Sequence, residues 1–267
     1  MDYSPLDHPA VLAAVFHPRP ELGPAPVHHR IRDHRIEVEK GIHVGARFHL
    51  ASPASANLLF FHGNGEIVAD YDQLGPLYNR LGINLLAVDY RGYGRSSGRP
   101  TVSGMMTDCH KILDYVQAWM DDSDHTGPLI VMGRSLGSAS AIELASSRGD
   151  EIDALIVESG FAFAIALLHL LGVDTETLGL SEESGFANLN KIRRYSGPTL
   201  IIHAEHDHII PFSDALALYE AGAGQDKTLL KIENANHNDI FLRGLDNYMG
   251  AIHVLVGRIG GKNRHRS

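Results

Sequence analysis

The sequence predicts an α/β protein built on a mostly parallel central sheet with helices on both faces. Three observations carry this. Short, almost wholly apolar runs recur along the chain, as strands buried on two sides require. Helical stretches alternate with them, the rhythm of β-α-β units. A pair of period-2 segments at the front adds an antiparallel hairpin at the N-terminal edge of the sheet.

In chain order, residues 1–27 are rich in proline and read as an irregular lead-in with one short helix. The stretch RIEVEKGIHVGARFHL (35–50) alternates polar and apolar residues around Lys40-Gly41, a hairpin signature. NLLFFH (57–62) is the first buried strand. A helical stretch near 69–81 follows, then strand INLLAVDY (83–90), a helix over 101–120, strand PLIVMG (128–133), a helix over 135–147 and strand DALIVES (153–159). After an interruption the rhythm returns with strand TLIIHA (199–204), a helix near 213–221, strand KTLLKIE (227–233) and a last helix toward 258. There is no internal repeat, so the whole of 1–267 is expected to be a single domain. The interruption, about 161–196, exceeds the usual connection length and is expected to form a small cap over one end of the sheet. Its start, FAFAIALLHLLG, is apolar nearly all round; if helical it must be covered on more than one side, and it is expected either to be core or to line an acyl pocket. Its later part, DTETLGLSEESG, is acidic and expected to be exposed.

Composition bounds the partners. A formal net charge of −9 argues against a nucleic-acid partner, because phosphate binding needs a basic face. The basic tail from Lys262 to Arg266 reads as a solvated end. One cysteine, Cys109, excludes an internal disulfide and fits a reducing, cytoplasmic location; its helical setting predicts a buried apolar role. No run approaches the ~20 apolar residues of a membrane span, and no signal peptide is evident. The sequence assigns no oligomeric state.

Ligands of open parallel sheets bind beyond the carboxyl ends of the strands. Those ends carry His62-Gly63-Asn64-Gly65, then Gly133-Arg134-Ser135-Leu136-Gly137, Glu158-Ser159, Glu205-His206-Asp207 and Asn234-Ala235-Asn236-His237. A serine, an acid and a histidine thus fall on one rim, in that chain order. A serine hydroxyl needs a base to become a nucleophile, and the base needs an orienting acid. The candidates are Ser135, His237 and Asp207, with Glu158 as the competitor for the acid. His203, His206 and His208 also cluster, but a metal site is not expected, since Asp207 is explained without one.

Five motifs, HGNG (62–65), DYRGYGRSSG (89–98), GRSLG (133–137), HAEHD (203–207) with IIP (209–211), and NANHND (234–239), together resemble the α/β-hydrolase fold family over roughly residues 30–259. The combination HGN with DYRGYG is similar to a branch of serine hydrolases with compact caps. The resemblance implies a Ser135–His237–Asp207 triad and an oxyanion hole made by the backbone N–H groups of Asn64 and Leu136. It implies no cofactor. The expected function is hydrolysis of a small-molecule ester or thioester with some apolar character, through an acyl-enzyme. The alternatives are a non-catalytic binding or scaffold protein that kept the fold, and an acyltransferase or peptidase using the same residues. DYRGYGRSSG lacks the Lys-Ser/Thr end of a phosphate loop, so Asp89 and Arg91 are expected in structural hydrogen bonds.

Overall fold

The computed structural model describes residues 1–24 and 26–263, the side chains of 261–263 excepted. The tail 262–266 therefore falls outside the described side chains. Eight strands form one sheet: β1 (Ile31–Glu39), β2 (Ile42–His49), β3 (Ala56–Phe61), β4 (Ile83–Val88), β5 (Leu129–Arg134), β6 (Ala154–Glu158), β7 (Thr199–Ala204) and β8 (Lys227–Ile232). Their order is β1-β2-β4-β3-β5-β6-β7-β8. The β1–β2 hairpin is antiparallel and joins β4 antiparallel; all other pairs are parallel.

Every residue of β3, β4, β5, β6 and β7 is buried, which is why these strands read as unbroken apolar runs. Successive side chains point to opposite faces. Leu59 and Phe61 accordingly enter the core shared with α3 (Val102–Asp122) and α4 (Gly137–Arg148). Leu58 and Phe60 enter the opposite core, roofed by α8 (Ile240–Asn263) through Tyr248, Ile252, Leu255 and Ile259. Helix α3 buries Met105, Cys109, Ile112 and Val116, a stripe at helical spacing, and Thr101 caps it by accepting the Gly104 N–H at 2.9 Å. Around this frame lie α1 (Pro9–Val15), α2 (Gly75–Arg80), α5 (Ala164–Leu170), α6 (Asn188–Ile192) and α7 (Phe212–Ala221).

The helix expected near 69–81 is instead a 3-10 turn, Val68–Tyr71, and the short α2. Pro76 stands in the first turn of α2 and cannot extend it backward, because it has no N–H to offer. The helix expected from residue 135 begins at Gly137, since Ser135 has a φ of 51°. The apolar start of the 161–196 segment is also less covered than expected. Helix α5 buries only Ala164 and Leu168, while Leu170 is 60% exposed. Helix α6, at the end of that segment, returns to pack on α4 and α7.

Asp89 is buried and accepts the Val68 N–H at 2.9 Å, and Arg91 grips Asp108 through two bonds of 2.7 Å. Both are the structural contacts the turn after β4 was expected to hold.

Candidate active site

The rim at the carboxyl ends of β3, β5, β7 and β8 brings the predicted residues together. The chain leaves β5 through a sharp turn in which Ser135 adopts left-handed backbone, φ 51°, a conformation non-glycine residues visit only when the surroundings impose it. The flanking glycines explain how. A Cβ at Gly133 would lie 2.2 Å from the Gly137 carbonyl oxygen, and one at Gly137 would lie 2.1 Å from the Phe61 carbonyl oxygen. Strand, turn and helix are packed backbone on backbone, so no side chain fits beside the serine. The Ser135 N–H is anchored on the Glu158 carbonyl at 2.8 Å.

His237 follows β8. Its Nε2 is 3.1 Å from Ser135 Oγ, and its Nδ1 is 2.6 Å from Asp207 Oδ2. Asp207 is itself fixed by the N–H groups of Ile209 and Ile210, which donate to its Oδ1 at 3.0 and 2.8 Å. Burial works against its charge. The hydrogen bond and charge of His237, with those two N–H donors, outweigh burial and hold the carboxyl below the ordinary aspartate value. Glu158, the competing acid, does not bond the imidazole. Its Oε2 accepts the Tyr248 hydroxyl at 2.7 Å and its Oε1 is 3.2 Å from Arg134 Nε. Burial raises its pKa, against the pull of Arg134 and Tyr248.

Asn64 and Leu136 both line the cavity that opens beside Ser135. Among the described residues neither backbone N–H has an acceptor. The Asn64 side chain is held by the N-terminal segment and the turn after β4: its Oδ1 accepts the His17 N–H at 2.8 Å and the Tyr93 hydroxyl at 2.7 Å. The cavity is about 230 Å³, walled by Val15, Phe161, Leu167, Leu168, Leu171 and Phe186 among others. An apolar wall with a few polar atoms at one end is chemically suited to a hydrocarbon group. The three clustered histidines do not converge. His203 is buried with its Nε2 on the Ile210 carbonyl at 2.8 Å, His206 is exposed, and His208 bonds Asn236.

Two contributions carried no clear sequence signal. The proline-rich lead-in supplies Val15 to the cavity wall and His17 to Asn64; the only hint was the apolar run AVLAAVF between prolines. Arg134 and Glu66 also line the cavity and pair at 2.9 Å. Arg134 occupies the variable position before the serine, where the motif prescribes no chemistry.

No helix among the described residues is long and apolar enough to cross a membrane. A family model described as serine aminopeptidase, S33, matches residues 52–171, which span β3 to α5 and include the turn at Ser135. Alpha/beta hydrolase domain-containing protein 17B of Homo sapiens is 32% identical over 214 residues, 77% of this chain and 68% of that protein. Protein 17C of Xenopus laevis is 32% identical over 213 residues, 78% of this chain and 64% of that protein. Among solved structures, the Pyrococcus furiosus esterase Pf2001 superposes with a TM-score of 0.72 at 16% identity, over 92% of this chain and 98% of that one. Est1E from Butyrivibrio proteoclasticus with ferulic acid bound reaches 0.67 at 17% identity, over 84% and 98%. With the sheet, the strand-end motifs and these likenesses in agreement, the chain belongs to the α/β-hydrolase family of serine hydrolases.

Proposed function

We propose that the protein hydrolyses an ester or thioester with an apolar acyl group, through an acyl-enzyme formed on Ser135. The observation that carries this reading is the continuous chain from Asp207 to His237 to Ser135, at 2.6 and 3.1 Å, ending beside an apolar cavity.

In the first half-reaction Ser135 Oγ attacks the substrate carbonyl carbon while its proton passes to His237 Nε2. The carbonyl electron pair moves to oxygen, and the N–H groups of Asn64 and Leu136 stabilise that oxyanion. Among the described residues neither N–H has a protein acceptor, so the folded chain holds both facing the cavity without competing for them. Asp207 keeps the proton on Nδ1 and offsets the imidazolium charge. The pair then re-forms the carbonyl, the C–O or C–S bond to the leaving group breaks, and Nε2 returns its proton to that group. Water repeats the sequence on the acyl-enzyme and releases a carboxylic acid.

The segment 161–196 acts in this reading as a small cap within a single domain, its α5 end forming the acyl wall. The single buried cysteine supports a cytoplasmic location. Peptide hydrolysis of the aminopeptidase kind is the second reading, prompted by the description of the matching family model. It needs a free carboxylate for the substrate ammonium. Glu66, the acid lining the cavity, is already committed to Arg134, the Gly63 N–H and the Tyr71 hydroxyl.

The test is a panel of p-nitrophenyl esters and thioesters of graded acyl length, with alanine p-nitroanilide alongside and Ser135→Ala as blank. Fluorophosphonate labelling reports on the serine directly. Ester turnover with labelling at Ser135 is expected. Unlabelled folded protein would favour the scaffold alternative.

A further inference from the structure

We infer that Arg134, with Glu66, is a positioning device that sets the base and the oxyanion donor together. This rests on the serine mechanism proposed above.

Arg134 is 8% exposed and its planar guanidinium fork points in three directions. Nη1 meets Glu66 Oε1 at 2.9 Å, and Nε meets Glu158 Oε1 at 3.2 Å. Nη2 donates to the backbone carbonyl of His237 at 2.9 Å, with Asn238 Oδ1 at 3.4 Å. One side chain on β5 therefore holds the main chain of the residue that carries the base.

Glu66 extends the device to the oxyanion side. Its Oε2 accepts the Gly63 N–H at 2.7 Å and the Tyr71 hydroxyl at 2.6 Å. Gly63 immediately precedes Asn64, so this bond fixes the approach of the peptide unit whose N–H is the proposed donor. A Cβ at Gly63 would fall 2.9 Å from Arg134 Nη1 and 3.0 Å from Glu66 Oε2, so the loop lies directly on the ion pair. Glu158 closes the other side through the Tyr248 hydroxyl. Two loops from opposite sides of the serine thus share one rigid support, and both deliver groups that act on the transition state.

The experiment measures kcat, KM, the fluorophosphonate labelling rate at Ser135 and the melting temperature for Glu66→Ala, Glu66→Gln and Arg134→Gln. Displacing a catalytic group by about an ångström can cost ~100-fold. Glu66→Ala is expected to lower kcat and the labelling rate ~100-fold with KM little changed, because the affected groups act on the transition state. Glu66→Gln still offers an acceptor to Gly63 and is expected to recover to within ~10-fold of wild type. Arg134→Gln should match or exceed the Glu66→Ala loss; if it does not fold, the two Glu66 variants decide. Wild-type kcat per folded molecule in Glu66→Ala, whatever its melting temperature, would overturn the positioning role alone. A wild-type protein that no fluorophosphonate labels at Ser135 overturns the serine mechanism and this role with it.

Discussion

Two arginines are buried in this sheet, each among carboxylates, and they sit in different surroundings. Arg47, on β2 in the edge hairpin, is 1% exposed and bonds Asp33 at 2.7 Å, Glu21 at 2.8 Å and Asp72 at 3.0 Å. All three partners are side chains, and they tie the lead-in, β1 and the turn before α2 to the hairpin. Arg134, on β5 at the middle of the sheet, has two carboxylates and a main-chain carbonyl of the histidine loop. The first cluster joins pieces of scaffold. The second joins scaffold to the loop that carries His237, the base of the proposed mechanism. On the proposed mechanism the same residue type in a similar electrostatic setting serves stability in one place and geometry in the other, and what separates them is that one partner of Arg134 belongs to the His237 loop.

The contrast can be tested at its catalytic end first. Ser135→Ala and His237→Ala are expected to reduce kcat on the order of 10⁶-fold while melting near the wild-type temperature. Residual turnover far above that floor, measured on the best ester of the panel, would leave the Arg134 cluster with no chemistry to support. Next in size, Asp207→Asn is expected to lose ~10⁴-fold, since the imidazole would sit in the wrong tautomer. Glu158→Gln should retain activity to within ~10-fold, because an amide can still meet Tyr248. If the ranking of those two is reversed in steady-state assays, the acid has been assigned to the wrong strand end.

The scaffold end is tested by Arg47→Met. Removing one partner of a buried ion cluster costs about 3 kcal/mol or more, which for a chain of this size lowers the melting temperature by roughly 6–12 °C. Activity per folded molecule should be unchanged. A fall in kcat at temperatures well below melting would erase the distinction between the two arginines.

The smallest expected effect lies beside Arg47. His49 is 1% exposed there, and its pKa is lowered to about 4 by burial and then by the Arg47 charge. The unfolded chain takes up this proton near the ordinary histidine value of ~6.5 and the folded chain does not, so stability is full above that value and declines as pH falls toward 4. Glu143 defines a second window. Burial alone would raise it, but His110, Lys191 and Tyr3 outweigh burial and hold it at about 2. Its contribution is present above the unfolded value of ~4.3 and is lost as pH falls toward 2. Urea midpoints against pH should show both declines, and in Arg47→Met the first should weaken as the His49 pKa moves back up.

The rim was legible because each candidate residue follows a predicted strand within a few positions: Ser135 after LIVM and Asp207 after TLIIHA, both from fully buried strands, and His237 after LLKI, from the half-buried edge strand β8. Strands buried on both faces leave an unambiguous trace, and the next residues along the chain must lie at their carboxyl ends. The positions without such a trace were missed. Arg134 ends the same strand that leads to Ser135, but a buried arginine is recognised only by its partners, which come from residues 66, 158 and 237, far apart along the chain. Val15 and His17 reach the site from the far end of the polypeptide, through tertiary packing that no local pattern encodes. Helix α5 was expected to be covered because its residues are apolar all round, yet Leu170 and Phe163 face outward.

The lone thiol, on Cys109, lies wholly buried on the inner face of α3, its Sγ 3.2 Å from the Met106 carbonyl oxygen, and burial pushes its pKa up. An alkylating reagent reaches it only when α3 loosens from the elements packed on it, α4 among them, so the rate of modification in native buffer becomes a clock for that opening. Because there is one such sulfur in the chain, mass spectrometry of the intact protein yields a single-step time course. Run on the Arg47 and Arg134 variants, it separates a loosened frame from a misaligned but intact one without any substrate in the tube.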